Sequence, residues 1–154
     1  MADNYVLFSE VLPALNRKEQ AWVTRLLTGS CEDWAAELAA AGIDIDPDDE
    51  VWPGFQWEIL AARRSDLWLY TDESGNVRHV TQFVKALLHR FRPKDSWSMT
   101  WAEICSRPRI GEFGGGSAFV TSRGVQFHNA HQWVAKRASL FASKARKAKP
   151  PRKA

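Results

Sequence analysis

The sequence is poor in cysteine and lacks both long apolar runs and a recognisable leader. Its two cysteines, Cys31 and Cys105, lie far apart and in no paired motif. This usage predicts a reduced, cytoplasmic chain, with a single bridge between the two thiols as the alternative. No apolar run approaches the ~20 residues that a membrane helix requires, so we expect no membrane partner. The opening stretch MADNYVLFSE lacks a basic segment followed by a long apolar region, so we expect no secretion signal.

Acidic residues are absent after Glu112. Residues 1–112 hold all 18 Asp and Glu against 12 Lys and Arg, whereas residues 113–154 hold nine Lys and Arg and no acid. Residues 143–154 alternate Lys, Ala and Pro without large apolar groups, which predicts a disordered basic tail. This tail would bind polyanions; the alternatives are a solubilising extension or contact with the acidic loop at residues 44–50. Its cations are Lys144, Arg146, Lys147, Lys149, Arg152 and Lys153.

The remaining composition is that of one folded domain. The chain has 154 residues, of which 45% are apolar and 25% charged, and eight are tryptophan. This length and composition suffice for a hydrophobic core. We therefore expect a single domain over residues 1–142.

Apolar spacing predicts the order strand, two helices, a hairpin, a helix, three strands and a helix. The first strand is expected over residues 5–12. Asn16 with Glu19 resembles a capping box, and Gly42 is placed to close the second helix. The clearest helix is expected from Val77 to about Arg90, because its apolar residues recur every three or four positions. Strands joined by short turns favour an α+β fold, with an antiparallel or mixed sheet of about five to six strands and helices packed on one face.

The segment CSRPRIGEFGGGSAFVTS, residues 105–122, combines a thiol, two arginines, a glutamate and three glycines. Bare glycine amides can bind an anion, and guanidinium groups would strengthen such a site. Known phosphate loops open a helix, however, whereas these glycines lead into a predicted strand. A bulge or a wide turn over another backbone is the favoured interpretation, with anion binding as the alternative. The candidate anion-binding residues are Arg107, Arg109, Gly114, Gly115 and Gly116.

Cys105 and His128 are the candidates for reactive chemistry. A nucleophilic thiol needs a base within hydrogen-bond reach, and His128 or His131 could serve, with Glu112 orienting it. Cys105 continues an apolar strand pattern, however, which is typical of a small buried hydrophobe. The two histidines could also ligate a metal with Glu112 or Cys105, but the sequence shows no second ligand cluster. The balance is against an enzyme, and we expect no catalytic residue, no metal and no cofactor.

Two runs carry a resemblance to a known group of proteins. They are DESGNVRHVTQFVKALLHRFRP at 72–93 and WSMTWAEICSRPRIGEFGGGSAFVT at 97–121. They resemble small uncharacterised proteins of bacteriophages and mobile elements, over about residues 55–133. The block CSRPRIGEFGGG is the most specific part. No activity is assigned to that group, so the resemblance implies a setting in which small proteins take over or evade the host by binding.

Three hypotheses of function follow. The leading one is a non-enzymatic binding protein that contacts nucleic acid or a host nucleoprotein complex through the basic tail and the Arg/Gly-rich loop. In it, Arg107 and Arg109 contact anionic groups and Glu112 orients an arginine. The first alternative is a counter-defence inhibitor that binds a host protein through its acidic face and exposed tryptophans. The second is a small enzyme or nucleotide binder centred on Cys105, Glu112 and His128.

Overall fold

The computed structural model describes residues 3–29, 31–43 and 52–147. Within these ranges the chain forms four α-helices and seven β-strands, which confirms the α+β class. The elements are β1 (Asn4–Leu7), β2 (Ser9–Leu12), α1 (Arg17–Thr28), α2 (Cys31–Ala40), β3 (Gln56–Leu60), β4 (Asp66–Tyr70), α3 (Val77–Phe91), β5 (Ser96–Cys105), β6 (Gly114–Thr121), β7 (Val125–Asn129) and α4 (Ala130–Lys147).

The strands form two antiparallel sheets rather than one sheet of five to six strands. The larger has the order β1-β5-β6-β7 and the smaller the order β2-β4-β3. The single strand expected over residues 5–12 is interrupted at Phe8, whose side chain is buried in the core. The Phe8 carbonyl accepts a hydrogen bond from the Thr71 amide at 3.0 Å. The chain therefore leaves one sheet and enters the other at this residue.

Local signals set several of the helix ends, and two of these signals were expected from the sequence. The Asn16 carboxamide accepts hydrogen bonds from the amides of Lys18 and Glu19, and the Glu19 carboxylate accepts one from the Asn16 amide. This capping box starts α1 as expected. After α2, Gly42 has φ +67°, a left-handed conformation that glycine adopts without steric cost. The Asn129 side chain likewise accepts hydrogen bonds from the first amides of α4.

Helix α3 supplies the centre of the hydrophobic core. Its residues Val80, Phe83, Val84 and Leu87 are fully buried. They pack with the inner face of the four-stranded sheet, to which Trp97 and Met99 of β5 and Ala118 and Val120 of β6 contribute. Helix α1 joins the same core, because the ring of Trp22 stacks on that of Phe83 at a centroid distance of 5.8 Å.

Helix α4 is not part of this core. The side chains described along it, up to Lys144, are exposed to solvent. The helix continues to Lys147, five residues into the segment expected to be a disordered tail. Ala, Lys and Arg are strong helix formers, which accounts for the extension. Residues 148–154 lie outside the described residues.

Among the residues that the structure describes, no helix has both the length and the apolar character needed to cross a bilayer.

Candidate functional site

A cleft of about 680 Å³ opens on the inner face of the four-stranded sheet. We call it the sheet cleft. It lies beyond the first turn of α3, where that helix no longer covers the strands. Its floor comes from β1, β5 and β7, and its walls come from the loop before α3, the first turn of α3 and the start of α4. The lining residues are Val6, Gly54, Ser74, Gly75, Asn76, Val77, Arg78, Trp101, Glu103, Phe127, Asn129 and Gln132.

The sheet register explains why these side chains meet. Along β5, Trp97, Met99, Trp101 and Glu103 alternate onto the inner face. The first two are buried under α3, whereas Trp101 and Glu103 extend past it and stay partly exposed. On β7, Phe127 lies on the same face, because it pairs with the buried Ala118. The cleft is thus the uncovered end of the core face.

The three consecutive glycines belong to β6 and shape this end of the sheet. A Cβ atom on Gly116 would lie 2.5 Å from Cζ2 of Trp101, so the indole ring requires a glycine there. A Cβ atom on Gly114 would lie 2.7 Å from Nε2 of His131 and 2.9 Å from Oε2 of Glu103. Gly115 has φ +144° and faces the Trp101 carbonyl oxygen. The glycines therefore allow close packing within a strand and do not form a loop. They do not form the expected bulge or wide turn either, because β6 pairs with β5 residue for residue from Gly114 onward.

Aromatic and polar groups alternate inside the sheet cleft. The rings of Trp101 and Phe127 meet edge to face, with centroids 6.4 Å apart and planes at 74°. The Trp101 indole Nε1 donates to Oε1 of Glu103 at 3.1 Å. Oε2 of Glu103 has no hydrogen-bond donor among the described residues. Arg78 is exposed and, in the part of the chain that is described, forms no ion pair.

A second groove of about 400 Å³ continues from the cleft along α3. It shares Arg78 and Phe127 with the cleft and is also lined by Gln82 and Lys85 of α3 and Val125 of β7. No carboxylate lines this groove within the described residues. The cleft and the groove share lining residues and so adjoin each other. Among the described residues, their charged side chains are Arg78, Lys85 and Glu103.

The predicted arginines lie in the loop between β5 and β6, at the same end of the sheet. Both Arg107 and Arg109 are exposed. Nη1 of Arg109 lies 3.6 Å from Oε1 of Glu112, which is an ion pair at a distance too long for a hydrogen bond. That Glu112 orients an arginine for binding stays a prediction. Because Arg109 is half exposed, solvent screens the pair, and the contact contributes little energy. Arg107 has no acidic partner in the described ranges.

The register keeps the candidate reactive residues apart. Cys105 is a buried free thiol on the inner face, so the alternative disulfide with Cys31 is not formed. His128 pairs with Ser117, which in turn pairs with Thr100, five residues from Cys105 along β5. At ~3.4 Å per residue, the two side chains are offset by about 17 Å along the strands and also point to opposite faces. The arrangement of Cys105 with His128 that was considered from the sequence is not assembled.

The two histidines do not complete a metal site either. His128 points toward Trp133, with ring centroids 6.3 Å apart. His131 lies near Gly114 on the other face. Across the described ranges, no three His, Cys, Asp or Glu side chains are grouped closely enough to hold a metal ion.

The basic tail is described only in part. Lys144 is exposed on α4, and the helical backbone includes Arg146 and Lys147. Lys149, Arg152 and Lys153 lie outside the described residues.

Sequence reasoning did not identify the residues of the sheet cleft as a site. One signal was available, because the alternation that places Trp97, Met99 and Trp101 on a single face also places Glu103 there. A carboxylate on the core face of a strand marks a break in the buried apolar surface. No comparable signal identifies Arg78 or Phe127, since they reach the cleft from other elements.

Comparisons with family models, with curated proteins and with solved structures find no match for this chain.

Proposed function

We propose that this protein is a non-enzymatic binding protein for nucleic acid or a nucleoprotein complex, contacting it with one end of the four-stranded sheet. The observation that carries the proposal is a convergence of basic elements. Arg78 in the first turn of α3 lines the sheet cleft, and the loop with Arg107 and Arg109 follows β5 at the same end of the sheet. Helix α4 also begins at this end, and its cations start one to two turns later, at Lys136 and Arg137. Phosphate oxygens are the natural partners of such exposed, spatially grouped guanidinium groups.

Helix α4 extends this basic end away from the domain. Its sequence holds five Lys and Arg and no Asp or Glu. An exposed cationic helix followed by the basic residues 148–154 supplies sequence-independent affinity, because binding it to phosphates releases condensed counterions. The loop and α4 can therefore supply two separate sets of cations at this end of the sheet.

Gel-shift titrations at several salt concentrations test this proposal. Replacing Arg107 and Arg109 with glutamine should weaken binding and reduce the slope of log K against log salt by about one for each phosphate that is no longer neutralised. The matched control is a double variant that carries both Lys94→Gln and Arg123→Gln. It also removes two positive charges, but from exposed positions at the opposite end of the same sheet. Equal effects of the two double variants, or no binding by the wild type at low salt, would refute the proposal.

A protein partner is the second candidate, and the apolar side of α4 favours it. Trp133 and Leu140 lie seven residues apart, as do Val134 and Phe141, so all four share one side of the helix. Each is about half exposed or more. An apolar surface of this kind is typical of helices that dock into a partner. In a phage or mobile-element setting, the partner would be a host protein.

The two candidates respond differently to nuclease. Two results together would support the protein partner. A stoichiometric host protein should remain bound after nuclease treatment, and it should be absent from pull-downs with the double variant that carries Leu140→Gln and Phe141→Gln. Release of all bound material on nuclease treatment would support nucleic acid.

A further inference from the structure

The sheet cleft offers both a flat aromatic surface and a free carboxylate oxygen. Phe127 is 55% exposed although it belongs to the core face of its strand. The edge-to-face contact with Trp101 fixes its orientation. A planar, weakly polar group can therefore lie on Phe127 without moving any part of the core.

Glu103 defines the polar character of the group that fits there. One of its oxygens is engaged by the Trp101 indole, which holds the carboxylate in place. The other oxygen, Oε2, accepts no hydrogen bond from the described residues and lies beside Gly114, next to the His131 imidazole. It can accept a hydrogen bond from a ligand that reaches this corner of the cleft. A carboxylate accepts but does not donate, so it selects an amino group over a carbonyl oxygen. Among nucleobases, cytosine, adenine and guanine carry an exocyclic amino group. The pairing-edge donor of thymine and uracil is the N3–H, which lies between two carbonyl oxygens that repel a carboxylate.

Two basic side chains lie beside the cleft, where they can contact the phosphates next to a bound base. Arg78 lines both the cleft and the second groove, and Lys85 follows it about two turns along α3. A chain with one base in the cleft can thus place neighbouring phosphates beside these side chains. The volume of about 680 Å³ is in the range of small-molecule binding pockets and can accept a single nucleotide.

We infer that the sheet cleft binds one amino-bearing base of a single-stranded nucleic acid, stacked on Phe127 and hydrogen-bonded to Glu103. This inference rests on the proposed function and narrows it from nucleic acid in general to single strands. Paired bases in a duplex expose neither the face nor the pairing edge that the cleft contacts, which favours unpaired strands.

Fluorescence anisotropy with labelled oligo(dC), oligo(dT) and a duplex of equal length tests the inference. The wild type should bind oligo(dC) about tenfold more tightly than oligo(dT). Phe127→Ala should weaken oligo(dC) binding about tenfold without changing the salt dependence, because stacking involves no counterion. Glu103→Gln should remove the preference for oligo(dC), since an amide can donate to the thymine carbonyl while still accepting from Trp101.

Phe119→Ala is the matched control. Phe119 is an exposed phenylalanine of the same sheet, but it lies on the opposite face from Ala118 and Val120. If Phe127→Ala and Phe119→Ala have the same effect, or if the duplex binds as well as oligo(dC), the cleft inference is wrong while salt-dependent binding still supports the proposed function. If no oligonucleotide binds the wild type at low salt, both fail.

Discussion

Arg92 and Glu19 form a two-pronged ion pair that joins the end of α3 to the start of α1. Nε of Arg92 lies 2.6 Å from Oε1 of Glu19, and Nη2 lies 2.8 Å from Oε2. The same guanidinium group donates to the carbonyl oxygens of Pro13 and Ala14. Glu19 also accepts from the Asn16 amide, so one buried carboxylate serves both the capping box and the contact between helices.

This pair predicts acid sensitivity. Burial by itself raises the pKa of Glu19. Hydrogen bonds from Arg92 and from the Asn16 amide, together with the positive charge of Arg92, lower the pKa by more than burial raises it. The net result is a pKa below the usual value for glutamate. A lowered pKa means that ionised Glu19 stabilises the fold at neutral pH, and that this contribution disappears as the pH falls through the folded-state pKa. Glu19→Gln should reduce the free energy of unfolding at pH 7 by about 3 kcal/mol and flatten its decline below about pH 5.

Urea melts of the two proteins between neutral and acidic pH measure this effect. Glu58→Gln is the control, because Glu58 is exposed and has no ion pair in the described part of the chain. A destabilisation at neutral pH that is no greater for Glu19→Gln than for Glu58→Gln would contradict the assigned role of the pair.

Gly116→Ala should destabilise the domain by about 2 kcal/mol through overpacking. The added methyl group would lie 2.3 Å from the His128 carbonyl oxygen and 2.5 Å from the Trp101 ring. Gly124→Ala is the control, since nothing lies within 4 Å of the added methyl group there, and its effect should stay within about 0.5 kcal/mol. Denaturant melts compare the two, and equal stabilities would show that Trp101 does not pack on Gly116.

Cys105→Ala should lower the free energy of unfolding by about 1 kcal/mol, because it removes a buried sulfur atom. Nucleic-acid binding by the folded variant should be unchanged. Thermal melts and gel shifts on the same preparation measure both quantities. A variant that keeps full stability but no longer functions would instead identify Cys105 as a reactive residue.

Phe141→Ser should leave the stability of the domain within about 0.5 kcal/mol of the wild type, since the Phe141 side chain is 77% exposed on α4. Leu26→Ala, in the fully buried core, should cost about 2–5 kcal/mol. A large destabilisation by Phe141→Ser, measured by denaturant melts, would mean that α4 packs on the domain.

Much of the secondary structure was predictable because its signals are local. The capping box of Asn16 and Glu19, the stripe of α3 and the terminating Gly42 all act over short stretches of the chain. The hairpin between β3 and β4 and the turn at Arg123–Gly124 are likewise set by residues close in the chain. Such interactions can be recognised from spacing alone, without knowing what packs on them.

The candidate site was harder to predict because its residues come from distant parts of the chain. Arg107, Arg109 and Glu112 share one loop, and sequence reasoning found them together. Arg78, Trp101 and Phe127 come from three elements, and only the sheet register and the position of α3 bring them to one cleft.

The sequence by itself determined the α+β class, the boundaries of α1 and α3 and the separation of acidic from basic residues, since composition and short-range contacts depend only on residues close together in the chain. Only the tertiary structure decided that the strand breaks at Phe8 and contributes to two sheets. It also decided that Gly116 packs against the Trp101 ring and Gly114 against the His131 side chain, and that Cys105 and His128 lie apart. These outcomes depend on pairings between residues far apart in the chain, and many different pairings are compatible with the same local pattern.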